Sequence, residues 1–283
     1  MRDVWTGHRT IGEIELYTAC AGSAAQRPLL VIHGGPDWDH SYLCQPLGRL
    51  ASSKRLLLPD LRGCGRSARG LPIHRYHPDA AVADLLTILD SFAITMTDVL
   101  GFSYGGLLAQ RLAAAAPQRI RRMIIASSSI IPMPANAYDG WAERDALLAS
   151  EAAVWSDPTL SGPKRPRAAA FASARANVWR ADALPELLKR LRVVWFSSEW
   201  DRARRAGVLP SARLDDAVSV LIRTEIPILL LHGRYDMVFP PMLAEQAAAQ
   251  MPNATAVVLD DAGHMAHIDQ PEVWLDAIAN FLE

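Results

Sequence analysis

Ser103 sits at the centre of Gly101-Phe102-Ser103-Tyr104-Gly105, and the residues on either side give that pentapeptide its meaning. Thr97-Asp98-Val99-Leu100 before it is a short apolar run that reads as a buried strand. Gly106 to Ala115 after it is rich in strong helix formers. A strand that turns into a helix through Gly-x-Ser-x-Gly holds its serine on a strained, exposed turn, with glycines where the chain passes close to itself. Without those flanks the same residues would describe an ordinary glycine-rich turn with a buried serine.

A serine hydroxyl is a weak nucleophile until a base removes its proton, and the base needs an acid to fix its tautomer. In a strand–elbow–helix architecture these partners follow in the order serine, acid, histidine, at the ends of later strands. Asp236 comes just past the apolar run Pro227 to His232, and His264 just past the run Ala254 to Leu259. His267 is the rival base, while His232 falls too early in its segment and His8 precedes the fold. Asp260 and Asp261 are too near His264 in sequence to come from a separate strand end, and Asp60 precedes the elbow. The developing oxyanion calls for two backbone donors. The N–H of Tyr104 at the start of the elbow helix supplies one. The loop His33-Gly34-Gly35-Pro36 supplies the other, at Gly35, with His33 as a brace.

Further apolar runs at Pro28 to His33, Lys54 to Asp60 and Ile120 to Ser127 alternate with helical patterns at Asp79 to Phe92, Met242 to Met251 and Glu272 to Leu282. Strands that are apolar throughout imply a parallel sheet covered on both faces, hence an α/β, doubly wound core. Gly12 to Tyr17 alternates instead and is expected at an antiparallel edge. Between Ile131 and Arg213 the strand rhythm gives way to Ala- and Arg-rich helical sequence holding five of the eight tryptophans. The expected organisation is a core of residues 1–130 and 214–283 with a helical cap, 131–213, inserted over the site.

The 283 residues carry 29 Lys and Arg against 30 Asp and Glu, which offers no basic surface for nucleic acid. No apolar run approaches the roughly 18 residues of a membrane span, and the first residues lack the apolar stretch of a signal peptide. Cys20, Cys44 and Cys64 have no metal-ligand spacing and read as reduced thiols of a cytoplasmic protein. No metal or organic cofactor is implied, since serine, histidine and backbone donors suffice for the chemistry.

Three passages, His33-Gly34-Gly35-Pro36, Asp60-Leu61-Arg62-Gly63-Cys64-Gly65-Arg66-Ser67 and Gly101-Phe102-Ser103-Tyr104-Gly105-Gly106, resemble the α/β-hydrolase superfamily, and more narrowly its proline iminopeptidase-like branch. The chain departs from that branch at Asp37, where glycine is usual, and at Tyr104, where tryptophan is usual. The resemblance covers about 28–129 and 226–282 and implies an α/β-hydrolase fold in which Asp60 to Ser67 is a structural turn. It also implies a cap acid that binds a substrate's free α-amine beside an apolar pocket, and Trp195-Phe196-Ser197-Ser198-Glu199-Trp200-Asp201 offers Glu199 with Trp200. Glu143, Glu151 and Asp216 are weaker candidates. The expected activity is a serine amidase or aminopeptidase acting on a small molecule or short peptide. An esterase, thioesterase or lactonase is the alternative, ahead of a ligand-binding receptor or a cofactor-free lyase.

Overall fold

The computed structural model describes residues 4–283. Eight strands form in chain order: β1 (Thr6–Ile11), β2 (Glu15–Ala21), β3 (Arg27–Ile32), β4 (Lys54–Pro59), β5 (Thr97–Phe102), β6 (Ile120–Ala126), β7 (Ile228–Gly233) and β8 (Ala254–Leu259). They make one sheet in the order β1-β2-β4-β3-β5-β6-β7-β8. The β1–β2 and β2–β4 pairings are antiparallel and every other pairing is parallel.

The continuous apolar runs explain this sheet. Successive residues of a strand point to opposite faces, so Leu29 and Val31 enter one core with Leu100, Phe102 and Trp274. Leu30 and Ile32 enter the other, beneath Leu85 and Leu89 of the helix Pro78–Ser91 and Leu108 and Leu112 of the helix Tyr104–Ala115. The C-terminal helix Pro271–Leu282 covers the first face. Its last carbonyls are met by cations from the sheet, Lys54 Nζ donating to Leu282 O (2.9 Å) and Arg122 Nη1 to Phe281 O (2.7 Å).

The chain leaves β3 toward β4 on one side and returns with β5 on the other. That reversal opens a crevice beyond the carboxyl ends of β3 and β5, the usual binding position in a doubly wound sheet. The long span between β6 and β7 holds helices Ala142–Ser156, Lys164–Ala172, Leu184–Val193 and Glu199–Arg205, with short helical turns between them. A further helix, Ala217–Thr224, packs its buried Ala217 and Leu221 into the core beside Leu108 and Leu112.

At the amino end the structure corrects the sequence reading. Gly12 to Tyr17 is not one edge strand. It spans the turn of a β1–β2 hairpin and the start of β2, so the true edge is β1, with His8 inside it rather than ahead of the fold. His8 packs on Phe92 at 4.4 Å between ring centroids. Among the described residues, no helix is long and apolar enough to cross a membrane.

Candidate active site

Ser103 closes β5 and opens the helix Tyr104–Ala115, with φ 53° and ψ −119°. A non-glycine residue in that region costs on the order of 1–3 kcal/mol and persists only where its surroundings hold it. Here they do. Ser103 N–H donates to Ala126 O of β6 (2.8 Å), and Gly106 N–H donates back to Ser103 O (2.8 Å). The elbow glycines are steric necessities: a Cβ on Gly101 would lie 2.4 Å from Gly105 O, and one on Gly105 2.1 Å from Ile32 O.

β7 and β8 are parallel neighbours, with Gly233 opposite Leu259, so the loops beyond their ends emerge side by side. They carry Asp236 and His264. Ser103 Oγ lies 3.1 Å from His264 Nε2, while His264 Nδ1 lies 3.1 and 3.0 Å from the two Asp236 carboxylate oxygens. Because an ionised carboxylate only accepts, Nδ1 carries the proton and donates to Asp236. The Nε2 lone pair then faces the serine hydroxyl. Asp236 also accepts from the N–H groups of Val238 (2.7 Å) and Phe239 (2.8 Å). Burial pushes its pKa up, but the charge and hydrogen bond of His264 and these backbone bonds outweigh it, so the carboxyl is held below its ordinary value.

His267 does not reach this cluster. Its buried ring packs on Phe102 (5.0 Å) and Trp274 (5.5 Å) with neither nitrogen hydrogen-bonded among the described residues. Burial holds it well below the usual histidine pKa.

The loop after β3 passes beside Ser103, so close that a Cβ on Gly34 would stand 2.7 Å from Ser103 Cβ. Gly34 N–H is already used, donating to Tyr42 Oη (2.9 Å). Gly35 N–H and Tyr104 N–H have no hydrogen-bond partner among the described residues, and Gly35 lines the cleft. His33 accepts from Leu61 N–H at Nε2 (3.1 Å), so its Nδ1–H donates to Gly34 O (3.0 Å), and the ring braces the loop.

A cleft of about 300 Å³ opens at Ser103 and His264. Trp38, Tyr42 and Phe102 line it from the core side, and Trp155, Ala169 and Leu209 from the segment between β6 and β7. Trp200 lines it as expected, buried against Tyr104 and donating from Nε1 to Arg62 O (2.7 Å). Glu199 does not. Adjacent residues on a helix point about 100° apart, and with Trp200 and Asp201 turned to the cleft, the Glu199 carboxylate pairs with Arg202 (3.2 Å) outside it. The acids between β6 and β7 that reach the cleft are Asp201, which accepts from Arg204 (2.7 Å), and Glu151, which accepts from Trp155 Nε1 (3.0 Å).

The Asp60 to Ser67 passage is a braced turn. Asp60 accepts from His40 Nδ1 (2.6 Å), His40 N (3.1 Å) and Arg66 N (2.8 Å), while Arg62 forks onto Asp84 (2.7 and 2.9 Å). Asp39, His40 and Asp60 are close enough to share a cation. Their ligand atoms are spent, however, on one another and on Ser41 and Trp195 N–H groups.

Residues 27–271 match the family described as alpha/beta hydrolase fold. The chain belongs to the alpha/beta-hydrolase family. It is 28% identical over 269 residues to a 2-hydroxymuconate semialdehyde hydrolase of Pseudomonas sp. (strain CF600), a match covering 92% of this chain and 88% of that protein. It is 27% identical over 280 residues to a rhodomycin D methylesterase of Streptomyces peucetius, covering 90% of each. Among solved structures it is similar to a proline iminopeptidase-related protein of Thermus thermophilus, with a TM-score of 0.73 and 25% identity, covering 100% of this chain and 98% of that one. Membership of this hydrolase family and likeness to its iminopeptidase-like branch both hold.

Proposed function

We propose that this alpha/beta hydrolase is a serine hydrolase that cleaves a small, mainly apolar carboxylic ester, thioester or lactone through a covalent acyl-enzyme. The supporting observation is the chain of contacts from Ser103 Oγ through His264 to Asp236 at the floor of the cleft. Ser103 Oγ adds to the substrate carbonyl carbon as its proton passes to His264 Nε2. The oxyanion accepts from Gly35 and Tyr104 N–H, and Asp236 stabilises the imidazolium. The bond from the acyl carbon to oxygen, or to sulfur in a thioester, breaks, and His264 gives its proton to the leaving alkoxide or thiolate. Water, deprotonated by the same nitrogen, then displaces Ser103. In this reading residues 131–213 are the cap that walls the cleft, on a core of 1–130 and 214–283.

The mostly apolar lining and the exclusion of Glu199 favour an acyl substrate without a charged amine. The amidase or aminopeptidase reading keeps one specific support: Glu151 lines the cleft with a single side-chain bond, from Trp155. Paired chromogenic substrates test the choice. An aryl ester should turn over faster than the matching aminoacyl anilide, and Glu151→Gln should leave the ester rate within about twofold. A strict requirement for a free α-amine, lost in Glu151→Gln, would transfer the assignment to an aminopeptidase. The cytoplasmic placement expected from the cysteines remains part of this proposal.

A further inference from the structure

Asp37 occupies a backbone position suited to glycine, with φ at 83°, and yet it is buried. Its carboxylate is fully engaged with a segment some 160 residues away. Oδ1 accepts from Ser197 Oγ (2.7 Å) and Trp200 N–H (3.0 Å), Oδ2 accepts from Asp201 N–H (2.7 Å), and Asp37 O accepts from Ser197 N–H (2.8 Å). The helix Glu199–Arg205 receives no side-chain cap from its own Ser198, so Asp37 supplies the acceptor for its first turn from the adjoining loop after β3. Two residues earlier in the same loop stands Gly35, whose N–H has no partner among the described residues, and Gly35 O is tied to Trp38 N–H (2.7 Å). Pro36 between them stiffens the link.

We propose that Asp37 is a positioning residue that fixes the Gly35 N–H for catalysis by clamping the loop after β3 to the helix Glu199–Arg205. The proposal rests on the serine-hydrolase reading of the cleft. The side chain offsets the backbone strain that a glycine would avoid, because three donors converge on a carboxylate that would otherwise be buried without partners. The same bonds hold Trp200 and Asp201 against the cleft. One residue thereby couples an oxyanion donor to two lining residues, and a change at position 37 reaches transition-state stabilisation as well as the wall of the pocket.

The test compares wild type, Asp37→Gly and Asp37→Asn. Glycine suits the φ and removes every side-chain bond. Asparagine tolerates the φ and keeps one accepting oxygen, while its NH2 faces a donor. For an aryl ester, Asp37→Gly should lower kcat by roughly 10–100-fold, the order of losing most of one oxyanion donor, with a smaller rise in KM as Trp200 and Asp201 loosen. Asp37→Asn should fall between. An arylboronic acid, whose adduct with Ser103 mimics the tetrahedral oxyanion, should bind Asp37→Gly more weakly by a factor similar to the kcat loss. Amide exchange of residues 199–205 in the uninhibited protein should accelerate in both variants. Unchanged exchange in Asp37→Gly would overturn the clamp. Faster exchange with unchanged kcat and boronate affinity would overturn its role in placing Gly35. If wild type neither hydrolyses esters nor binds the boronate, the serine-hydrolase reading fails instead, and the exchange result still decides the clamp.

Discussion

Every distance in the cluster at Ser103 fits a nucleophile, a base and an orienting acid, and each has its own expected failure. Asp236→Asn can still accept from Val238 and Phe239 N–H, but it turns a donor or a single acceptor toward His264 Nδ1, favouring the wrong tautomer. It should cost up to about 10⁴ in kcat with little loss of substrate affinity, measured by steady-state kinetics. A loss under tenfold would remove Asp236 from the mechanism. His267→Phe should retain wild-type kcat within a few-fold while altering thermal stability, because its ring only packs on Phe102 and Trp274. Ser103, Asp236 and His264 were legible in the sequence because position just past a strand end is a local property. Glu199 was not: one turn of helix cannot reveal its own rotation, and the cleft takes Asp201, two residues on, in place of Glu199. Asp37 stood out only as a departure from glycine, since its partners lie far along the chain.

The loops that carry the site are themselves held by buried carboxylates. Asp269 accepts from Gly263 N–H beside His264 (2.8 Å) and from Trp179 and Arg180 N–H (2.9 Å each), tying the histidine loop to the segment before Leu184–Val193. His40 and Asp60 brace the loop after β4. Burial opposes the charge on His40, but the Asp60 hydrogen bond and charge outweigh it and push its pKa up to about 10. Asp60 is held below the usual carboxylate range, burial being outweighed by His40. A histidine raised in the folded state contributes stability that is complete below its unfolded pKa of about 6.5 and is lost as pH rises through about 10. His40→Gln should therefore lower Tm most near pH 6, by the equivalent of about 3–5 kcal/mol for a broken buried pair. The deficit should shrink by pH 9.5, as read by thermal denaturation at both values. A deficit independent of pH would mean that the pair is not ionic. The parallel strands were readable because full burial makes their apolar runs continuous, whereas β1, mostly exposed at the sheet edge, has no apolar pattern to read.

At the scale of the whole chain, strand order brings three distant passages together. Adjacent β3 and β5 set the loop that carries Gly34 and Gly35 beside Ser103, adjacent β7 and β8 set Asp236 beside His264, and the span between β6 and β7 lines the cleft beside them. The fold class followed from the alternation of apolar runs and helical patterns. The walls of the cleft did not, because helices such as Ala142–Ser156 have no fully buried face to announce how they dock. Glu199→Gln should leave activity within about twofold on esters and aminoacyl substrates alike, since its carboxylate pairs with Arg202 outside the cleft. A selective loss on substrates with a free amine would reinstate it as an amine ligand. The central claim is that the intact protein uses Ser103 as a nucleophile activated by His264. Intact mass after exposure to a fluorophosphonate tests it directly. One stoichiometric adduct is expected on wild type, mapped to Ser103, with none on Ser103→Ala or His264→Ala and with ester hydrolysis falling by about 10⁴–10⁶ in Ser103→Ala. An unlabelled wild type, or a Ser103→Ala protein that keeps most of its activity, would contradict the account.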